Sequence, residues 1–297
     1  MQFYITRQGG QSGPFSEAEF NRMTKEGKIT PTDYIWHEPL TEWILFKDFD
    51  ALRVKPAEKE YTKYYKVDSR KLSFGECWSF SRGKFHLFLF VSLLKILRIP
   101  FKLSEGLPEA REYKDLQIRE DELPIEALLS FRDHTIPAAQ KGFDLVSYAT
   151  LANNLMPSST YVADYLHQDH TTILRLFFSH TETLTVTVLT LVTYLDNGTT
   201  VTTTTRDNGF KTPPHKIKYI IKTDDLDKIL HPHLSKVKKH SSGVNVSLTT
   251  STEEFGQRAF QTEKEFCEYN IARGVLVEMT PDEIAAVKMS RSKLRAT

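Results

Sequence analysis

The sequence predicts an α+β protein in which a small N-terminal domain precedes a larger domain, built on an antiparallel sheet covered by helices on one face. Two observations lead to this class. Residues 143–205 are rich in β-branched and aromatic residues, which is typical of strands. Helical spacing and capping residues occur before this stretch and again after residue 222, so the helices precede and follow the sheet sequence.

The composition is that of an ordinary globular protein. The 297 residues include 40% hydrophobic and 26% charged residues, and the formal net charge is only +1. No strong overall field favours nucleic acid, and we expect no nucleic-acid partner. The two cysteines lack a CxxC spacing, and the N-terminus lacks a secretory signal pattern. We therefore expect a cytoplasmic location, and the length predicts about two domains.

The first domain, residues 1–52, contains a dense series of short elements. Ser16 and Glu19 form a capping box, in which the serine side chain accepts from the Glu19 amide and the carboxylate reaches back. A glycine then ends the helix. The elements are an aromatic strand, a Gly-Pro turn, a capped helix with its glycine, a second strand and a closing tryptophan: Phe3-Tyr4, Gly13-Pro14-Phe15, Ser16–Gly27, Ile35-Trp36 and Trp43.

These elements and their spacing resemble the GYF family, and more closely its bacterial GYF-like variant. The resemblance implies an adaptor domain that docks a proline-rich peptide on an aromatic platform, because a polyproline helix is already ordered before binding. Ser12, Met23 and Lys28 stand at platform positions, so we predict weak binding of generic proline-rich peptides. The candidate peptide-binding residues are Tyr4, Phe15, Met23, Trp36 and Trp43. Alternatively, both tryptophans are core anchors of this small domain, together with Phe20.

Residues 53–122 are predicted to hold a polar linker and then a basic and apolar helical segment. The run FHLFLFVSLLKILRIPF, residues 85–101, is apolar for about 15 residues, fewer than the ~20 that a membrane-spanning helix needs. Two alternatives stay open: a helix buried between domains, or a helix that lies at an anionic membrane surface. The candidate membrane-contact residues are Phe88, Lys95, Arg98 and Lys102.

Residues 123–297 are predicted to form the larger α+β domain. A helix is expected up to Gly142, with an interruption near Pro137, and a type I′ turn is expected at Asn197-Gly198. The threonine-rich strand after this turn indicates that at least one face is solvated. This region loosely resembles an uncharacterised bacterial α+β module, and the resemblance brings no activity. The matching positions are Gly142-Phe143, residues 196–205, Pro213 and Leu230-His231.

The histidines suggest no enzyme class. His167, Asp169 and His170 are close in sequence, but side chains in one short loop point in different directions, and we predict no metal site and no cofactor. His233 falls in the second half of a predicted helix, where a histidine commonly interacts with the helix dipole. We name no catalytic residue.

The resulting prediction is a non-catalytic interaction protein whose partner is another protein or a peptide segment. An anionic membrane surface is a second candidate partner, which would make the protein peripheral to the membrane. One alternative is a small-molecule or lipid-binding protein that uses the concave face of the sheet in the larger domain. A second alternative is an enzyme with a His/Asp site.

Overall fold

The chain divides into two compact units in the structure, which is a computed structural model. The first unit contains Met1–Pro56 and Arg119–Asp133, and the second contains Ala57–Ile118 and His134–Thr297. The structure describes residues 2–7, 9–37, 40, 42–47, 49, 61–81, 83–101, 105–151, 155, 158–181 and 184–296. The division falls inside one helix, Ile125–Gln140, which contributes residues to both units.

The N-terminal part of the first unit contains a four-stranded antiparallel sheet and a helix between its second and third strands. The strands are β1 (Gln2–Arg7), β2 (Gly10–Ser16), β3 (Tyr34–His37) and β4 (Ile44–Leu45), in the order β2-β1-β3-β4, and the helix is α1 (Glu17–Lys25). Ser16 caps α1: its Oγ accepts from the Glu19 amide at 3.3 Å, and a Glu19 carboxylate oxygen accepts from the Ser16 amide at 2.8 Å. The predicted capping box is thus confirmed.

The core of this unit is aromatic. The Phe20 ring of α1 stacks on Phe3 of β1 with the ring centroids 4.3 Å apart, and it meets Phe49 edge-on at 5.7 Å. All three rings are buried. Trp43 is 36% exposed and Trp36 is half-buried, so the alternative in which both are core anchors is wrong. Side chains alternate along β3, and the residue before Trp36 takes the inward position instead.

Among its described residues, the second unit contains two sheets and most of the helices. In chain order, the strands are β5 (Tyr64–Val67), β6 (Glu105–Pro108), β7 (Gln117–Ile118), β8 (Phe143–Thr150), β9 (Ser159–His167), β10 (Thr172–His180), β11 (Thr185–Tyr194), β12 (Thr200–Thr204), β13 (Lys216–Ile220) and β14 (Leu276–Glu278). The helices after α1 are α2 (Phe74–Phe80), α3 (Phe85–Ile96), α4 (Tyr113–Leu116), α5 (Ile125–Gln140), α6 (Leu226–His240), α7 (Thr252–Ala272) and α8 (Pro281–Ala296).

Strands β7 to β13 form a seven-stranded sheet in which neighbours along the chain are also neighbours in the sheet. Adjacent strands are antiparallel, except that β12 and β13 run parallel. The predicted antiparallel meander and the α+β class are therefore confirmed. In the smaller sheet, β5 lies between β14 and β6, so the segment before residue 122 contributes strands as well as helices.

Two local backbone predictions differ from the structure. A type I′ turn needs positive φ at both central residues, but only Gly198 has it, at 81°, while Asn197 does not. The Asn197 side-chain oxygen instead accepts from the Thr199 amide at 3.0 Å. Helix α5 also continues through Pro137 to Gln140, because a proline removes one hydrogen bond from the helix without ending it here.

Helices lie on both faces of the seven-stranded sheet. Val201 of β12 packs with Val237 of α6, while Val192 of β11, which points to the opposite face, packs with Phe255 of α7. The threonine-rich strand had indicated a solvated face, but Thr203 is fully buried on the side of α6. The sequence predicted helices on one face of the sheet, whereas the structure has helices on both faces.

Candidate functional site

Three aromatic side chains form a row on the outer face of the N-terminal sheet. Tyr4 and Trp36 are cross-strand partners in β1 and β3, and their ring centroids lie 5.5 Å apart. The Trp43 ring centroid lies 6.5 Å from that of Trp36. Because side chains alternate along a strand, Tyr4 and Trp36 point away from the core that contains Phe3. We call Tyr4, Trp36 and Trp43 the aromatic row.

Hydrogen bonding holds the central ring of the aromatic row. Trp36 Nε1 donates to the Leu40 carbonyl at 2.8 Å, which orients the indole along the sheet. Tyr34, two residues earlier on the same strand face, is 43% exposed and extends the aromatic surface. Tyrosine and tryptophan combine a large apolar face with a polar group, and they are enriched where proteins contact partners.

Phe15 and Met23, the other candidate peptide-binding residues, do not join the aromatic row. Phe15 is the cross-strand partner of the buried Phe3, so its side chain lies on the core face of the sheet. Met23 lies one turn after Phe20 on α1, the helix that packs against that same face. The structure therefore brings three of the five candidates together on one surface and places two on the other.

Gly13 allows the chain to pass closely behind Tyr4. Its φ is 125°, a conformation that residues with a side chain rarely adopt. A Cβ at this position would lie 2.7 Å from the Phe3 carbonyl oxygen and 3.1 Å from Cδ1 of Tyr4. A residue with a side chain at this position would therefore collide with the Phe3 backbone and the Tyr4 ring, so the Gly-Pro turn needs its glycine.

An ion pair holds the loop that leads into β3. The Arg7 guanidinium donates to both carboxylate oxygens of Asp33, at 2.7 and 2.5 Å, and the Thr30 amide donates to the same carboxylate at 2.7 Å. The hydrogen bonds from Arg7 lower the pKa of Asp33 to about 2, although burial opposes this. The carboxylate stays charged at neutral pH and fixes the chain just before Tyr34 and Trp36.

A second candidate surface lies on α2, α3 and the residues after α3. Its large hydrophobic side chains are 40% to 66% exposed, and they are Phe74, Trp78, Phe85, Leu87, Leu89, Phe90, Leu93, Ile96, Leu97 and Ile99. We call them the apolar surface. The alternative of a helix buried between domains is therefore wrong for this side of α3. No helix among the described residues combines the length and apolarity needed to cross a bilayer.

The opposite side of α3 packs against its own unit. Phe88 and Val91 contact a buried cluster that contains Leu72 and Cys77. Phe88 also meets Trp78 of α2 edge-on, with the ring centroids 5.3 Å apart. The two helices thus form a hairpin with one packed side and one exposed side.

The four candidate membrane-contact residues differ in position. Phe88 lies on the packed side of α3. Lys95 is half-buried, and its Nζ donates to the Arg70 carbonyl at 3.0 Å. Arg98 is exposed just after the helix, and Lys102 lies outside the described residues. The exposed apolar side chains, rather than Phe88, are therefore the ones that an external surface can reach.

A buried ion pair attaches α2 to the rest of the second unit. Arg273 donates through Nη2 to a Glu76 carboxylate oxygen at 2.5 Å, and the Lys211 amide donates to the other oxygen at 3.0 Å. Glu76 also caps its own helix through Ser73. Burial would raise the pKa of Glu76, but these hydrogen bonds outweigh it and lower the pKa to about 2.

The histidines singled out in the sequence do not converge on one site. His167 Nδ1 lies 2.7 Å from a carboxylate oxygen of Asp169, whereas His170 Nδ1 lies 3.1 Å from the Thr249 carbonyl oxygen. Within the part of the chain that the structure describes, no group of three His, Cys, Asp or Glu side chains is placed to hold a metal ion.

His233 links α6 to the sheet instead of interacting with the helix dipole. It is fully buried, and its Nε2 and Nδ1 lie 3.0 Å from the hydroxyl oxygens of Thr193 and Thr203. Burial lowers the pKa of His233 to about 4, so the ring is neutral at pH 7. The helical spacing of His233 with Ile229 and Val237, which are also buried, is the signal that could have predicted this position.

The comparisons with known proteins concern the N-terminal domain alone. No curated protein and no solved structure matches the chain. Residues 3–52 match the family model described as GYF domain 2. GYF domains are protein-interaction modules in general. Residues 3–52 of this chain therefore form a domain of the GYF domain 2 family.

Proposed function

We propose that this protein is a non-catalytic adaptor that binds a peptide segment of another protein through the aromatic row. The row of Tyr4, Trp36 and Trp43 carries this proposal, since it lies on the side of the sheet that does not pack on the core and its Trp43 is exposed. Aromatic faces bind extended and polyproline-like segments, which lose little entropy on binding. The family match indicates only a general role in protein interaction, and the proposal assigns this role to the aromatic row.

The composition of the aromatic row favours a partner that differs from a generic proline-rich peptide. Ser12, Met23 and Lys28 stand where founding members carry platform aromatics, and Met23 lies on the opposite side from Trp36. A simple oligoproline should therefore bind at best in the millimolar range, about −4 kcal/mol. A tighter ligand needs contacts with Trp43 and the neighbouring Tyr34.

Peptide selection with the intact chain tests this proposal. Peptides selected from a displayed library should lose at least tenfold in affinity when Trp43 is replaced by alanine, because an exposed tryptophan is a frequent binding hot spot. Leu234→Ala, at a 47% exposed apolar residue of α6, is the control and should leave the affinity unchanged. Selected peptides that bind Trp43→Ala as tightly as the parent chain would contradict the proposal.

We further propose that the apolar surface of α2 and α3 rests on an anionic membrane. Helix α3 contains no acidic residue, and the acidic Glu76 of α2 is buried in its pair with Arg273. Lys84 and Arg98, which flank α3, are exposed and positive. Apolar side chains flanked by basic residues are typical of helices that lie in a membrane interface.

Co-sedimentation with vesicles that contain anionic lipid tests the membrane contact. Binding of the intact protein should fall as salt rises, since the Debye length is about 10 Å at 0.1 M and about 3 Å at 1 M. Ile96→Glu should weaken binding, whereas Ile136→Glu should not. These isoleucines are matched in exposure, at 66% and 68%, and Ile136 lies on α5. No pelleting at low salt, or equal loss from both variants, would contradict the membrane proposal.

A further inference from the structure

A cavity of about 590 Å³ lies between the seven-stranded sheet and α7, entirely within the second unit. This volume falls in the range of about 300–1,000 Å³ that is usual for small-molecule sites. Alternate residues of β10 to β13 form one wall of the cavity, and Phe255, Ala259 and Phe266 of α7 contribute to the other. The spacing of these three helix residues places them on the side of α7 that faces the sheet.

Apolar side chains make up much of the cavity lining. They come from the inner positions of β10 and β11 and from α7, and they include Ile173, Phe177, Val186, Val188, Val192 and Phe255. Threonines of β12, with Thr202 at the centre, continue the same wall. A lining of this kind fits the apolar body of a ligand, because burying apolar surface is favourable and has no preferred direction.

Most charges in the cavity lining already have protein partners. Three of the lining cations form ion pairs with N–O distances of 2.6 to 2.9 Å: Arg175 with Asp164, Lys216 with Glu265, and Lys218 with Asp207. Another lining cation, Arg206, is exposed to solvent. The three paired cations therefore need no anionic group from a ligand.

Glu263 differs from Asp207, the other carboxylate in the cavity lining. It follows Ala259 by one turn on α7 and lines the cavity, yet it forms no hydrogen bond or ion pair with any residue that the structure describes. Its side chain is exposed, and desolvation by the surrounding protein raises its pKa. Arg175 and Lys216 oppose that rise without contacting the carboxylate. A carboxylate so placed is stabilised by a ligand that brings a positive charge.

We propose that this cavity binds a small molecule with an apolar body and a protonated amine, which forms an ion pair with Glu263. The apolar body lies along the wall formed by Phe177, Val188 and Phe255, and the amine reaches the carboxylate of α7. The cavity uses none of the residues on which the proposed adaptor and membrane roles rest, so each can fail without the other.

Three ligands with the same ten-carbon chain test this proposal on the intact protein: decylamine, 1-decanol and decanoate. Calorimetric titration at pH 7, below the concentrations at which they form micelles, should show decylamine binding at least tenfold more tightly than decanoate. That ratio corresponds to about 1.4 kcal/mol. Glu263→Gln keeps the size of the side chain and removes its charge, so it should abolish the preference for decylamine while leaving 1-decanol affinity unchanged.

Three further variants show where the ligands bind. Glu268→Gln removes a carboxylate of the same helix that is 62% exposed and does not line the cavity, and it should change nothing. Val188→Phe narrows the cavity and should weaken binding of all three ligands, whereas Ile96→Glu on the apolar surface should not. Absence of decylamine binding, equal binding of decanoate, or retained preference in Glu263→Gln would overturn the proposal.

Discussion

Replacing Glu76 by glutamine is expected to destabilise the second unit strongly at neutral pH and very little at pH 2. The Glu76 side chain is 2% exposed and pairs with Arg273. Its pKa is about 2 in the folded protein, compared with the ordinary value of 4.5. Each pKa unit corresponds to about 1.4 kcal/mol, so the charged carboxylate contributes about 3 kcal/mol to the free energy of unfolding.

The sign of the pH dependence follows from the lowered pKa. Because the folded protein holds the proton less tightly than the unfolded chain, this stabilisation is fully present above about pH 5. It is lost as the pH falls toward 2, where Glu76 becomes protonated in the folded state as well. The difference between the parent protein and Glu76→Gln should therefore shrink from about 3 kcal/mol at pH 7 to near zero at pH 2.

The tryptophans allow the second unit to be observed alone. Trp78 lies two residues from Glu76 on α2, whereas Trp36 and Trp43 belong to the first unit. In a background with Trp36→Phe and Trp43→Phe, Trp78 fluorescence during urea unfolding reports the second unit. The unfolding free energies of Glu76 and Glu76→Gln chains are then compared between pH 7 and pH 2.

A surface ion pair between a glutamate and a lysine provides the control. Glu283 pairs with Lys66, but both side chains are more than a third exposed, at 38% and 35%. Exposed pairs contribute about 0–1 kcal/mol, so Glu283→Gln should cost less than about 1 kcal/mol at pH 7. The reasoning is refuted if Glu76→Gln shows the same deficit at pH 7 and pH 2, or if Glu283→Gln costs as much.

Three other substitutions follow from close packing and burial. Phe20→Ala should cost about 3–5 kcal/mol, because a fully buried ring is removed, and a calorimetric transition of the first unit that is unchanged would contradict this. Gly13→Ala should lower the melting temperature of that unit more than Gly9→Ala, since both have positive φ but a Cβ would meet other atoms only at Gly13. His233→Gln should flatten the loss of stability as the pH falls from about 6.5 to about 4. In the parent protein, His233 is protonated in the unfolded chain at a higher pH than in the folded protein, so stability falls across that range. An identical pH profile of stability for the variant would contradict this explanation.

Features that depend on a few consecutive residues could be predicted from the sequence. The Ser16 and Glu19 side chains are three residues apart, and their capping box was expected from local geometry alone. The strands up to β12 could likewise be predicted from their many β-branched residues. Local rules apply here because both partners of each interaction lie in one element or in adjacent elements.

The candidate sites depend on contacts between distant residues, which such rules do not describe. Glu76 and Arg273 are 197 positions apart, and nothing near either residue indicates the other. In the first domain, Tyr34, Ile35 and Trp36 are all apolar or aromatic, so no alternation with polar residues shows which of them points inward. Only the packing of Ile35 into the core reveals that Trp36 faces outward.

Helix α3 shows why its environment could not be read from the sequence. Its residues are apolar on nearly all sides, so no 3.6-residue period separates an inner side from an outer side. In the folded chain, Ser92 is 8% exposed, whereas the nearby Phe90 and Leu93 are 58% and 52% exposed. A helix that packs on a protein in water normally has the reverse arrangement, because burying the larger apolar side chains is favourable. This inversion supports the proposed membrane contact, since lipid is the environment in which exposed phenylalanine and leucine are stabilised.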